Sequence, residues 1–195
     1  MAKQNKQVGQ LRIIAGSWRG RKLSIAEVEG LRPTPDRVRE TIFNWLQPFI
    51  GGARCLDLFS GSGALGFEAA SRGAEQVTLV ELNRSAVKKL SENQTLLRAE
   101  NCYIEHQSAQ HFLASNTLKY DIVFIDPPYN ADLWTEIGRL LVGRETLIDG
   151  AHIYLECSSK GDLPKLPEHW QLIKDKKAGE VRYCLFLNDV GETTV

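Results

Sequence analysis

The chain has 195 residues, enough for one substantial core and short for two. Its 24 Lys/Arg balance 24 Asp/Glu, and no run approaches the ~20 apolar residues that cross a bilayer. Four scattered cysteines (Cys55, Cys102, Cys157, Cys184) form no CxxC pair, and the four histidines show no ligand spacing. That pattern argues against a metal site and for buried free thiols in a reducing compartment. The polar start, Met-Ala-Lys-Gln-Asn-Lys-Gln, lacks an apolar signal region, so a cytoplasmic protein away from membranes is expected.

The charge is unevenly spread. Residues 1–54 hold ten Lys/Arg against four Asp/Glu, a net of +6, and the first 25 residues hold six bases and no acid. The remainder is correspondingly acidic, so a polyanion partner is expected at the N-terminal part. Residues 1–9 read as a flexible tail. Leu11–Ala15 and Lys22–Ile25 are short β-type runs around Gly16-Ser-Trp-Arg-Gly20, which predicts a hairpin. Thr34, Pro35 and Asp36 predict a helix start, with Thr34 as N-cap and Pro35 at the first helical position. Val38, Ile42, Trp45, Leu46 and Phe49 follow at helical spacing, and Gly51-Gly52 stops the run. These features divide the chain into a basic N-terminal extension, residues 1–50, and a catalytic domain, residues 51–195.

From residue 53 strands and helices alternate. Strands are expected at 55–59, 76–82, 102–106, 121–125 and 151–157, and helices at 64–72, 85–98, 109–116 and 133–142. Alternation with short connections predicts a mostly parallel sheet with helices on both faces. Residues 170–174 and 181–187 read as two more strands, joined by Asp175–Glu180. They make a seven-stranded α/β sheet closed by a C-terminal antiparallel hairpin.

Two motifs carry chemistry. Leu56-Asp57-Leu-Phe-Ser-Gly61-Ser-Gly63-Ala-Leu-Gly66 fits GxGxxG between a strand and a helix, and Glu81, at the end of the next strand, suits two ribose hydroxyls of an adenosine. Asp57, four residues before Gly61, disfavours a pyrophosphate and welcomes an ammonium group. S-adenosylmethionine carries an ammonium and a sulfonium and no phosphate. The second motif, Asp126-Pro127-Pro128-Tyr129, follows an apolar strand. Two prolines remove two N–H donors and fix two φ angles. Acceptors are left around a rigid notch in which Asp126 and a proline carbonyl can take the hydrogens of a planar amino group, with Tyr129 on its face. Together the motifs favour methyl transfer to an amino nitrogen.

On these residues the chain resembles the class I S-adenosylmethionine-dependent methyltransferases of the amino-group type. Arg12–Leu23 and Leu31–Asn44 tighten the match. Over nearly its whole length the chain is similar to the bacterial 16S ribosomal RNA guanine-N2 methyltransferase family, RsmD. The resemblance implies a monomeric, Rossmann-like enzyme that methylates one guanine of small-subunit rRNA, as naked RNA or as an assembly particle. It implies cofactor contacts at Asp57, Gly61, Gly63, Glu81, Ser108 and Ala109, and a substrate site at Asp126, Pro127 and Tyr129. Ser108 departs from the Asp or Asn common at its position. Arg19, Arg21 and Lys22 in the hairpin, with Arg37 and Arg39 in the first helix, are expected to contact phosphates. Trp18 suits either a base or the turn's own packing, and Trp45 suits the core. A different amino acceptor, a nicotinamide-dependent oxidoreductase and a non-catalytic RNA-binding module are the competing readings; Asp57 opposes the second, and intact Gly61, Gly63, Glu81 and Asp126 oppose the third.

Overall fold

The computed structural model describes residues 9–26, 28, 34–128 and 133–191. The expected tail, apart from Gly9, falls outside these residues, and so does Tyr129. A two-stranded hairpin, β1 (Gln10–Arg12) and β2 (Lys22–Ser24), comes first, with Leu11 opposite Leu23. Helix α1 (Asp36–Leu46) follows. Then β3 (Arg54–Asp57), α2 (Ala64–Ser71), β4 (Gln76–Glu81), α3 (Arg84–Leu97), β5 (Cys102–His106), α4 (Ala109–Ser115), β6 (Tyr120–Ile125) and α5 (Trp134–Gly143) alternate. The chain ends in β7 (Leu147–Ser158), β8 (Trp170–Ala178) and β9 (Val181–Asn188).

The seven strands β3–β9 form one sheet in the order β5-β4-β3-β6-β7-β9-β8. The pairs from β5 to β7 are parallel, and β9 lies antiparallel to both β7 and β8. This is the expected α/β architecture. Successive side chains on a strand face opposite sides, so two apolar clusters form. Cys55, Val77, Leu79, Ile122, Phe124 and Tyr154 pack towards α1, α2 and α3. Leu56, Val80, Val123, Ile125, Ile153 and Leu155 pack towards α4 and α5. The hairpin side chains Leu11, Ile13, Leu23 and Ile25 belong to the first cluster, so the N-terminal segment shares the core of the sheet. All four cysteines are buried and free.

Several expectations shift by local physics. Thr34 does not cap α1: the N-cap is Pro35, no side chain caps it, and Asp36 is the first helical residue. Thr34 is instead buried. Phe49 leaves the apolar stripe and is 46% exposed, with its ring stacked on His152 at 3.9 Å. The last hairpin is longer than expected, because β8 runs on through Asp175–Ala178 and leaves only Gly179 and Glu180 to turn. The polar residues Asp175, Lys176 and Lys177 hide a strand that is exposed along most of its length; Asp175 pairs across it with Arg182 at 2.6 Å.

Candidate active site

Strand order places the site. From β3 the chain moves outward to β4 and β5, then returns to the other side of β3 as β6. At that reversal the loops after β3 and β6 diverge and leave a crevice at the carboxyl ends of the strands. Asp57 closes β3 and Asp126 directly follows β6, so the two motifs flank the crevice.

Four carboxylates end on the same face of this edge. Asp57 follows the alternation of Cys55, Glu81 that of Val77 and Leu79, Asp126 that of Ile122 and Phe124, and Glu156 that of Tyr154, all towards the α2 side. Register sets their depths. Asp57 is level with Leu79 and Phe124, so Glu81 and Asp126 each stand two residues further out, about 6.6 Å at 3.3 Å per residue. Ile125 is level with Leu155, which brings Glu156 to the depth of Asp126. The result is an outer row of three carboxylates on β4, β6 and β7, with Asp57 deeper. They are spread along the edge, and among the described residues no three metal-ligating side chains converge to hold an ion.

The glycine loop rises in front of Asp57. Leu58 N donates to Phe124 O at 3.2 Å, and Ser60 N to Val80 O at 3.0 Å. Gly61 N then donates to Glu81 Oε2 at 2.8 Å, while Asn83 N donates to Oε1 at 2.7 Å. Glu81 therefore holds the loop as well as facing the crevice. Gly63 caps α2 with φ +78°, and a Cβ there would sit 2.5 Å from Phe67 and 2.8 Å from Leu90. Gly66 N donates to Asp57 Oδ2 at 3.1 Å, and a Cβ on Gly66 would lie 2.7 Å from Leu79. The three glycines thus serve the turn, the helix start and close helix–strand packing.

Burial and crowding push Asp57 and Asp126 towards their neutral forms. Asp57 is 2% exposed. Burial raises its pKa to about 7, with Glu81 adding to the rise and the Gly66 and Phe59 amides opposing it. Asp126 is raised well above the usual carboxylate range by burial, then by Glu156 and Asp57. A cation in the crevice would reverse both shifts. The edge is therefore built to receive positive charge.

The model of the family described as conserved hypothetical protein 95 matches residues 11–187. The ribosomal RNA small subunit methyltransferase D of Escherichia coli K12 is 48% identical over 178 residues, 91% of this chain and 90% of that protein. The chain belongs to this methyltransferase family. A solved putative methyltransferase from Escherichia coli, 44% identical, superposes with a TM-score of 0.88 over 94% of this chain and all of the other. An RNA methyltransferase from Salinibacter ruber, solved with S-adenosyl-L-homocysteine, shares the fold at 14% identity, with a TM-score of 0.63 over 84% of this chain and 98% of that one.

The other residues singled out from the sequence lie as follows. Pro127 is buried beside Asp126. Ser108 is the N-cap of α4, accepting from His111 N at 3.1 Å, and Ala109 is buried against the α4–α5 side. Arg19, Arg21, Lys22 and Arg37 are exposed, and Arg21 Nη2 donates to Leu96 O at 3.0 Å. Trp18 and Trp45 are half-buried against the core, Trp45 stacked on Tyr183 at 5.6 Å. Arg39 corrects an expectation: it is 0% exposed and out of reach of a phosphate. Its Nη2 donates to Arg12 O at 2.9 Å and to Asp36 Oδ1 at 2.6 Å, and Nη1 lies 3.6 Å from Glu68. The position follows from the helix: Arg39 shares the stripe of Ile42, Phe43 and Leu46.

Glu68 and Glu156 escaped the sequence reading. Each is a lone acid in an apolar run, Ala64–Ser71 and Ala151–Cys157, and that isolation was the available signal. Fully buried, Glu68 accepts from Ile14 N at 2.8 Å, Ala15 N at 3.0 Å and Arg72 Nε at 2.7 Å. With Ser71, whose Oγ donates to Ala15 O at 2.6 Å, it fastens the hairpin to α2. The hairpin tip meets the end of α2 furthest from the glycine loop, where a Cβ on Gly16 would collide with the Ser71 carbonyl. Eight residues of helix put about 12 Å between the two.

Proposed function

We propose that the protein transfers a methyl group from S-adenosylmethionine to the exocyclic N2 amino group of one guanine in 16S ribosomal RNA of the small subunit, as a cytoplasmic monomer. The observation that carries this reading is the row of carboxylates at the switch point, beside a glycine loop, in a chain of the ribosomal RNA small subunit methyltransferase D family. The residues fit the cofactor: Glu81 suits ribose hydroxyls, the Gly61–Gly63 turn leaves room for backbone approach, and Asp57 and its neighbours favour an ammonium over a phosphate. S-adenosylmethionine supplies, when bound, a methyl carbon made electrophilic by the adjoining sulfonium.

The protein's own work is alignment and charge stabilisation. The guanine amino lone pair is delocalised into the ring and is a poor nucleophile. Asp126 and a proline carbonyl accept its N–H bonds, pyramidalise the nitrogen and aim it, and they stabilise the positive charge that grows there. The cofactor, held by Asp57, Gly61, Gly63 and Glu81, would supply the methyl carbon and keep the C–S electron pair on its sulfur. The surplus amino proton leaves afterwards, to Asp126 or water. The base is splayed from its stack to reach the crevice; the sequence motif assigns the stacking ring to Tyr129.

Residues 1–50 would act as the RNA-binding extension of a catalytic domain spanning 51–195, through Arg19, Arg21, Lys22 and Arg37. Because the hairpin tip sits a helix length from the glycine loop, these side chains would hold phosphates away from the reacting nucleotide. Mass-spectrometric mapping of small-subunit RNA from cells lacking the protein tests the reading: one guanine loses its N2-methyl group and regains it on complementation. Asp126→Ala should lower single-turnover transfer ~10²–10³-fold while leaving cofactor affinity within a few-fold. An unchanged methylation map overturns the assignment.

A further inference from the structure

Glu156 lies in an apolar stretch of β7 and is 6% exposed. A carboxylate buried in a strand is costly unless its surroundings hold it. Tyr154 Oη donates to its Oε2 at 2.8 Å, and Trp134 Nε1 fixes the backbone beneath it by donating to the Glu156 carbonyl at 2.7 Å. Parallel pairing of Ile125 with Leu155 sets Glu156 beside Asp126 on the same face, one strand away. Among the charges that raise the Asp126 pKa, that of Glu156 ranks first. Two acids therefore stand side by side where one would suffice to hold an amino group.

An amino group does not identify a base. Adenine, cytosine and guanine all carry one. The neighbouring ring nitrogen tells them apart. In guanine N1 bears a hydrogen, so the edge shows two adjacent donors. In adenine N1, and in cytosine N3, the neighbour is a lone pair, so a donor sits beside an acceptor. A lone carboxylate accepts from any of the three. A second carboxylate beside it gains a hydrogen bond from guanine and repels the bare nitrogen of the others. A site built to take a donor rejects an analogue that lacks it far more strongly than it rejects a change of size.

We propose that Glu156 selects guanine by accepting its N1–H while Asp126 accepts from N2. This rests on guanine N2 as the methyl acceptor. Glu156 takes no proton from the reacting nitrogen; it sets which base can lie in the notch. Tyr154, two residues earlier on the same face, orients the accepting carboxylate through its hydroxyl.

The test replaces the target guanine by 2-aminopurine, which keeps the amino group on C2 but has a bare N1. Single-turnover rates are measured on small-subunit RNA or particles carrying either base. The wild-type enzyme should prefer guanine on the order of 10- to 100-fold. In Glu156→Gln the amide can turn its NH2 to the bare nitrogen. Transfer to guanine should fall about tenfold and the preference should shrink by at least the same factor, with cofactor affinity within a few-fold of wild type. Tyr154→Phe, which removes only the orienting hydroxyl, should narrow the preference less, and it decides the matter if the Gln variant does not fold. Equal wild-type rates on the two bases, or an unchanged preference in the variants, overturn the role of Glu156 alone. No transfer to guanine by the wild-type enzyme overturns the guanine reading, and this proposal with it.

Discussion

Asp57→Asn should make the protein more stable at alkaline pH and unable to bind its cofactor well. Asp57 is buried under the start of α2, with its pKa raised from 3.8 to about 7. A carboxyl whose folded pKa is raised contributes stability that is present below its unfolded pKa and lost as pH rises towards the folded one. The full shift of roughly 3 units corresponds to about 4 kcal/mol at 1.36 kcal/mol per unit. Asparagine carries no charge at any pH, and its oxygen can still accept from Gly66 N. One of the two amide contacts of the carboxylate is lost, which subtracts about 1 kcal/mol at every pH. The variant's advantage over wild type should therefore widen by about 2–3 kcal/mol between roughly pH 5 and pH 8.5. That gain appears as a melting-temperature difference growing by about 4–12 °C. Urea unfolding of both proteins at the two pH values reads the difference directly. A gap that stays constant with pH would refute the buried-charge account of Asp57.

Glu81→Ala should weaken binding of S-adenosylmethionine tenfold or more, since two ribose hydroxyls and Gly61 N lose a charged acceptor; unchanged calorimetric affinity rules it out as the ribose acid. Wild-type affinity should climb as pH rises to about 7 and then level, because Asp57 must ionise to meet an ammonium; a flat profile over that range removes Asp57 from the cofactor contact. Glu68→Ala takes the buried carboxylate from Arg39 Nη1 and Arg72 Nε, leaving Arg39 only Asp36, and frees the amides of Ile14 and Ala15. It should cost about 3–5 kcal/mol and expose the hairpin amides to hydrogen exchange. Replacing Arg19, Arg21 and Lys22 together by glutamine should weaken RNA binding and flatten its salt dependence by roughly 0.7–0.9 per lost phosphate contact, with cofactor affinity unchanged; an unaltered slope excludes the hairpin as the phosphate grip.

The order of the elements was legible in the sequence because each one announces itself locally. Apolar runs of strand length alternate with helical periods, and Gly51, Gly52 and Gly73 punctuate them. The failures were also local. Thr34 is a good capping residue by type, yet it is buried and Pro35 takes the cap. Residues Asp175–Ala178 look like a turn by composition, but pairing with β9 continues through all of them. Arg39 reads as a surface base in a basic segment. Only the helical stripe it shares with Ile42 and Phe43, and the acid waiting on α2, reveal it as a buried tie.

The site shows what sequence spacing can and cannot carry. Asp57, Glu81 and Asp126 were recognisable because each closes a strand beside a motif. Their relation to one another was not, since they stand far apart in the chain. Three facts of the sheet bring them together: the order that places β3 between β4 and β6, the parallel direction that sends every strand end to one edge, and the register that decides depth. Parity then supplies the fourth acid, Glu156, which no motif marks. A row of carboxylates on one edge opposes folding, because burial and the neighbouring acids raise the pKa of Asp57 and Asp126. The apolar sheet below and the buried Arg39–Glu68 pair behind α2 hold the edge in place without neutralising it. On the proposed reading, a cationic cofactor and the donor edge of a base would meet that negative edge.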